Sequence, residues 1–392
     1  MKKRLLIFNS ALAPYMIDQY NDLSQLYEVE VVFLFTNVTN QSFDQRQLLS
    51  LLECKYSFLL KGLSYKERVF RFGILKTIWR FKPDIIISYE YSFTTQYLIL
   101  LKQIRLIHQK IGSTIDDSLE ICYHVQSKVR FFSRQISVKR LDYLIVLSKE
   151  VSLFYQDNFK LISNQIIVSP ILQNPDRLRN NGDEIEKIAN KYVQKYQLIG
   201  KKVILFVGRI DPVKGLTRFI KNIAQILLEN EDLVIVLVGN GEDQNSIEIF
   251  IKENHLFDNV ILPGRYEGVA LYAWYLCASG FVLPSTYEPF GAVVNEALIF
   301  GNKVFCSKYA GASYLIQSDN CGIVFDPWSE NETIDKLHIF LNSIDVIDEI
   351  NLMNKPSLMS NTQKDFIDEW KKINKDNFKN IRFQSIVSSV YL

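Results

Sequence analysis

Short runs of branched apolar residues recur along the whole chain, separated by longer amphipathic stretches. In the first half they are RLLIFN (4–9), VEVVFLF (29–35), DIIISY (84–89), a weaker run at 110–115, YLIVL (143–147) and QIIVS (165–169). In the second half they are VILFVG (203–208), LVIVLVG (233–239), NVIL (259–262), GFVLP (280–284), KVFC (303–306) and GIVF (322–325). Runs this apolar suit strands buried on both faces, so the pattern predicts parallel sheets with helices on either side. Ser148 reads as a helix N-cap directly after its strand. Between Pro170 and Gly182 the rhythm breaks at two prolines and a polar cluster, which predicts a connection between domains. The expected fold class is therefore α/β, with two doubly wound Rossmann-like domains facing across a cleft. The first would cover 1–175 and the second 176–365, with a helical tail over 366–392 packing back on the first. A chain of 392 residues is long enough for two such cores.

Several function classes fall away early. The first βα turn, NSALAPY, has no glycine, and GNGEDQ (239–244) opens like a dinucleotide fingerprint but ends in Gln244. No G-x-x-x-x-G-K-[ST] and no G-x-S-x-G occur, so P-loop phosphoryl transfer and esterase chemistry are not supported. Four His and five Cys form neither C-x-x-C nor H-E-x-x-H, which predicts no metal site and fits a reducing cytoplasm. The start, MKKRLLIFNSALAP, has the outline of a secretory leader, but LLIF is too short for its apolar centre and reads as a first buried strand. Apolar runs are strand-sized rather than the ~18 residues of a membrane span. A net charge of +2 argues against a nucleic-acid partner. The distribution is uneven, however: residues 1–175 hold 22 Lys and Arg against 15 Asp and Glu, which points to an anionic partner for that half.

The densest chemistry lies in STYEPFGAVVNEAL (285–298), directly after a strand. Glu288 is expected in the strand-to-helix loop and Glu296 inside a helix beginning near Pro289 to Gly291. The N–H groups of Phe290, Gly291 and Ala292 at that helix start suit phosphate or hydroxyl oxygens. Carboxylates accept well from vicinal diols, so the pair suggests a sugar nucleotide, although either glutamate alone reads as a cap or an exposed helix residue. FVGRIDPVKGL (206–216) adds Arg209 and Lys214 in a second strand-end loop, a guanidinium fork and a mobile ammonium suited to a diphosphate.

Taken in order and spacing, VGRIDPVKG, LVGNGED, ILPGRYEG, FVLPSTYEPFGAVVNEAL and GASYLIQSDNCGIVFDP resemble the donor domain of the retaining GT-B glycosyltransferases of group 1, also called glycosyltransferase family 4. The resemblance covers about 203–327, and Glu288 to Glu296 matches that family's E-x7-E element. It implies that Arg209 and Lys214 hold the donor diphosphate and that Glu296 takes the ribose hydroxyls. Glu288, with the N–H groups of Phe290 to Ala292, would take the transferred sugar, and the loop Pro263 to Tyr266, including Arg265, would lie near the base. It also implies transfer with retained anomeric configuration, a UDP or GDP sugar as donor, no resident cofactor and no required metal. Arg209, Lys214, Glu288 and Asp117 are then the expected catalytic set.

The first domain matches this family less closely. Where many relatives carry a glycine pair, this chain has Ala13-Pro14-Tyr15. At the position where relatives place a His or Asp near the sugar, the sequence offers Asp117, then Asp116, with His124 a more distant candidate. Glu90, at a strand's carboxyl end, fits either a structural role or an acceptor contact, and His108 reads as a surface residue on a helix. Two basic aromatic stretches, KERVFRFGILKTIWRFK (66–82) and KVRFFSRQISVKR (128–140), predict either solvated helix faces or docking on an anionic bilayer. In the docking case Arg130, Arg134, Lys139 and Arg140 would face lipid, and Phe131 and Phe132 would add apolar contact. The expected activity is transfer to a glycan or lipid-linked acceptor at the cytoplasmic side, in cell-surface polysaccharide synthesis. A sugar phosphorylase, a sugar-nucleotide epimerase or a silent glycan-binding relative would fit the same fold.

Overall fold

The computed structural model describes residues 1–38, 43–65, 68–125, 127–359 and 362–374. The first domain is built on a parallel sheet of β1 (Arg4–Asn9), β2 (Glu28–Phe33), β3 (Lys55–Phe58), β6 (Ile85–Tyr89), β7 (Lys110–Ile115), β8 (Tyr143–Val146) and β9 (Ile166–Val168), in the order β3-β2-β1-β6-β7-β8-β9. A separate antiparallel hairpin pairs β4 (Gly62–Tyr65) with β5 (Arg68–Arg71). Alternation explains why the central strands are apolar at every position. Leu5 and Ile7 join one core cluster while Leu6 and Phe8 join another, and Ile85 and Ile87 part from Ile86 in the same way. Both faces of the sheet are thus covered, and each buried aliphatic side chain contributes about 1.5–3 kcal/mol. The edge strand β3 and the hairpin were not expected from sequence, because KYSF and GLSY are short, partly polar and lack an apolar run.

The second domain repeats the plan with β10 (Lys202–Val207), β11 (Leu233–Val238), β12 (Val260–Gly264), β13 (Gly280–Leu283), β14 (Lys303–Ser307) and β15 (Gly322–Phe325), in the order β12-β11-β10-β13-β14-β15. Between the sheets the chain runs through a short helix, Pro175–Arg179, and then the helix Gly182–Tyr196. At its far end the chain returns to the first domain. Phe366, Trp370 and Ile373 complete the core beneath Leu5 and Ile7, Trp370 Nε1 donates to Ser169 Oγ at 3.0 Å, and Tyr27 Oη donates to the Trp370 carbonyl at 2.8 Å. Residues 375–392 of the expected tail lie outside the described residues, as do Lys66 and Glu67 of the first basic stretch.

In each sheet the strand order reverses beside the first strand, between β1 and β6 and between β10 and β13. Crevices outside the carboxyl ends of strands at such reversals are where open α/β sheets bind ligands. The loops after β10 and β13 carry Arg209, Lys214 and Glu288, while those after β1 and β6 carry Tyr15 and Glu90.

Candidate functional site

On the second-domain side, the two strand-end loops are locked to one another. Thr286 N donates to the Val213 carbonyl at 2.8 Å. Gly215 lies at φ 68, and a Cβ there would meet the Pro284 carbonyl oxygen at 2.4 Å, so the close approach demands glycine. This brings Lys214 Nζ into an ion pair with Glu288 Oε2 inside the cleft wall, with Ser285 Oγ 3.5 Å from the same oxygen. Arg209 pairs with Asp211 and stays half exposed, and Arg265 pairs with Glu267. The carbonyls of Glu288 and Phe290 accept from Gly311 N and Ala312 N, which fixes the turn before the helix Ala292–Ile299. That helix starts one residue later than expected, because Gly291 sits before it in the left-handed region at φ 93. The Phe290 ring is buried in the domain core and only its backbone borders the turn.

Glu296 is not the exposed helix residue that an isolated reading would give. Only 9% of it is accessible. Gln173 Nε2 donates to Oε1 and Tyr275 Oη donates to Oε2, both at 2.8 Å. Burial pushes its carboxyl pKa up, and the two donors and Arg177 oppose that shift. Gln173 belongs to the connector between domains, so the connector is part of the site rather than a loose linker. Its backbone N donates to Asn295 Oδ1 at 2.8 Å, while Arg177 forms a bidentate pair with Asp18 of the first domain at 2.6 and 2.7 Å.

The first-domain side presents a buried ion network. Arg130 Nη2 lies 2.6 Å from Asp117 Oδ1 and 2.7 Å from Glu90 Oε2, with its guanidinium over the Tyr91 ring. Glu90 adopts a left-handed backbone, φ 56, rare for a residue with a side chain. Its conformation is pinned by its own N–H to the Thr114 carbonyl and by the hydroxyls of Thr95 and Ser113 on its carbonyl oxygen. Burial lifts the Glu90 carboxyl to about 8 against the pull of Arg130, with Asp117 and Asp116 adding to the rise. Asp116, which accepts from Tyr89 Oη at 2.9 Å, is raised by burial to about 6.

Asp117, the expected catalytic carboxylate of this domain, is only 1% exposed and is turned inward onto Arg130. His124 is exposed and paired with Glu120, away from that network, and His108 lies in the loop after a helix rather than on it. Arg130 is paired inward with its side chain 30% exposed, and Arg134 is buried, donating to the Cys122 carbonyl and lying over Phe154 and Phe159. Tyr15 and Tyr287 each sense charged groups of both halves. Burial chiefly raises the Tyr15 hydroxyl, with Asp116 and Glu288 adding to the rise, and burial likewise raises Tyr287, opposed by Arg130 and assisted by Asp117, Glu90 and Glu288. Gln173 and Tyr275 were not expected at the site, since each reaches Glu296 through space and neither belongs to a motif; Arg130 was expected at a lipid face, and Tyr287, though part of STYEPFGAVVNEAL, was not singled out.

Residues 190–348 match the family model for Glycosyl transferases group 1. Among curated proteins, the chain is 26% identical over 166 residues to a 2-deoxystreptamine N-acetyl-D-glucosaminyltransferase of Niallia circulans, covering 42% of this chain and 43% of that protein. Less than half of that relative is therefore spanned. It is 27% identical over 330 residues to the GalNAc-alpha-(1->4)-GalNAc-alpha-(1->3)-diNAcBac-PP-undecaprenol alpha-1,4-N-acetyl-D-galactosaminyltransferase of Campylobacter jejuni, covering 82% of this chain and 83% of the relative. Among solved structures, Anabaena Alr3699/HepE in complex with UDP superposes with a TM-score of 0.68 at 15% identity, over 95% of this chain and 98% of that one. Sucrose-phosphate synthase from Thermosynechococcus elongatus gives 0.65 at 18% identity, over 93% and 94%. At such identities the structures speak to fold, and the family match speaks to the second domain. Residues 190–348 are thus similar to a group 1 glycosyltransferase domain, and the chain has a GT-B fold.

Proposed function

We propose that the protein is a retaining, family 4 glycosyltransferase that moves a sugar from a UDP or GDP sugar to a glycan or lipid-linked acceptor, in cell-surface polysaccharide synthesis. The observation that carries this reading is the convergence of Lys214, Glu288 and Glu296 on one strand-order reversal, held there by the Gly215 and Gly291 turns. Arg209 and Lys214 would meet the diphosphate, Glu296 the ribose, and Glu288 with the backbone of Phe290 to Ala292 the sugar, with Arg265 near the base. Breaking the sugar–phosphate bond builds charge on the departing diphosphate and cationic character on the sugar. Cations fixed in advance therefore stabilise the transition state more than the bound donor. The departing phosphate oxygen takes the acceptor's proton, so neither a protein base nor a metal ion enters this route. Because Lys214 is paired with Glu288, donor binding would exchange one carboxylate partner for phosphate and release Glu288 toward sugar hydroxyls.

The outer face of the first domain supports a membrane-side location. Arg130 and Arg134 turn inward from the helix Lys128–Val138, whereas Val129, Phe131, Phe132 and Ile136 are exposed, with Lys128, Lys139 and Arg140 near its ends. Apolar side chains flanked by cations suit the inner, anionic face of a plasma membrane, where a lipid-linked acceptor would be presented. Among the described residues no helix is long and apolar enough to cross a membrane. The test is incubation with UDP and GDP sugars, with and without a lipid-linked glycan extract, reading product anomeric configuration by NMR. Acceptor-dependent product with retained configuration supports the proposal; product formed with inorganic phosphate alone makes the protein a phosphorylase instead.

A further inference from the structure

Glu296 has four lone-pair sites on its two carboxylate oxygens. Two are filled from inside the protein, by Gln173 on one oxygen and Tyr275 on the other. Two acceptor sites remain, one per oxygen, and a ribose offers two adjacent hydroxyl donors. The Gln173 side chain is itself almost wholly buried, at 1% exposure, and its backbone is fastened to the neighbouring Asn295. One residue on, Asn174 N donates to Asp18 Oδ2 at 2.8 Å, and Arg177 grips the same carboxylate. The carboxylate expected to meet the nucleotide is thus aimed by the segment that joins the two domains.

We propose that Gln173 is a positioning residue for nucleotide binding, aiming the Glu296 carboxylate so that its two remaining acceptor sites meet the ribose hydroxyls. The inference rests on the ribose assignment of Glu296. Gln173 also favours the charged form. The groups facing Glu296 are Gln173, Tyr275, Tyr272 and Arg177, and of these Gln173, Tyr275 and Arg177 hold its pKa down against the rise caused by burial. A protonated Glu296 loses acceptor capacity, so nucleotide affinity falls as pH drops through its folded-state pKa. Removing the Gln173 donor raises that pKa further and moves the loss to higher pH.

The experiment is calorimetric titration with UDP and GDP across pH, on wild type, Gln173→Met and Glu296→Gln, with thermal melts to establish folding. Gln173→Met keeps length and shape and should weaken binding about tenfold, the scale of one hydrogen bond to a charged group. Its low-pH loss of affinity should begin at higher pH than in wild type, a shift that a purely structural role would not cause. Should Gln173→Met fail to fold, Gln173→Glu supplies a second variant, opposing Glu296 with a second carboxyl and shifting the loss upward again. Wild-type affinity and pH profile in Gln173→Met, alongside weakened binding in Glu296→Gln, would overturn the proposal and leave the ribose assignment standing. Unchanged binding in Glu296→Gln would remove the assignment itself, and the proposal with it.

Discussion

Lys214→Ala separates the structural from the chemical role of the ion pair in the cleft wall. Lys214 and Glu288 are 16% and 12% exposed, so the pair is largely withdrawn from water. Deleting the ammonium leaves the Glu288 carboxylate with a 3.5 Å contact from Ser285 Oγ. Removing one partner of a buried pair costs about 3–5 kcal/mol, and the residual exposure here puts the loss at the low end of that range. The loss arises from an unmatched charge, so Lys214→Ala with Glu288→Gln should recover much of it, with a coupling on the order of 1–3 kcal/mol. Turnover should behave differently. On the proposed function the single change removes a cation that would face the departing diphosphate, about 10²- to 10³-fold in rate, and the double change restores none of it. Urea unfolding and nucleoside diphosphate release, measured on wild type, Lys214→Ala, Glu288→Gln and the double variant, read the two effects apart. Near-normal turnover in a folded Lys214→Ala protein would refute the role given to this lysine, and turnover recovering with stability in the double variant would reduce it to a structural one.

Three further outcomes are expected. Vesicles containing phosphatidylglycerol should sediment the protein at low salt and release it at high salt, with about 1 kcal/mol lost per cation removed; Lys128→Glu with Arg140→Glu and Phe132→Ser should abolish this, and equal binding to neutral phosphatidylcholine would exclude the membrane face. Glu90 is raised from its ordinary 4.5 to about 8, so its contribution to stability is full below pH 4.5 and is lost as pH rises through about 8; Glu90→Gln should flatten the unfolding free energy over that window, and an unchanged slope would contradict the burial argument. Asp18→Ala strands the Arg177 guanidinium between the domains and should destabilise by about 3–5 kcal/mol in urea unfolding; an unchanged midpoint would show the clasp to be idle.

The strands were legible almost residue by residue because parallel strands buried on both faces leave uninterrupted apolar runs, as in RLLIFN and LVIVLV. Edge strand β3 left no such trace, since KYSF shows only partial burial. The candidate donor loops could be read because their chemistry is contiguous: Arg209 to Lys214 and Glu288 to Glu296 each lie within one strand-end loop and the helix that follows it. Arg130 and Arg134 show the limit of that reading. A basic aromatic helix looks alike whether its arginines meet lipid or reach inward to Asp117 and the Cys122 carbonyl, and only the packing of neighbouring helices decides. Gln173 was hidden for a related reason: a segment with two prolines reads as a connection, and its hold on Glu296 spans 123 positions.

Binding of nucleotide sugars decides whether the cleft is a donor site. Titration of UDP sugars and GDP sugars into wild type, Glu296→Gln and Glu288→Gln should give saturable binding to one nucleotide class. Glu296→Gln should weaken that binding by roughly 1–2 kcal/mol, while Glu288→Gln binds the bare nucleotide almost normally yet loses sugar transfer. No binding of either nucleotide class to wild type, or equal loss of bare-nucleotide binding in both variants, would contradict the account.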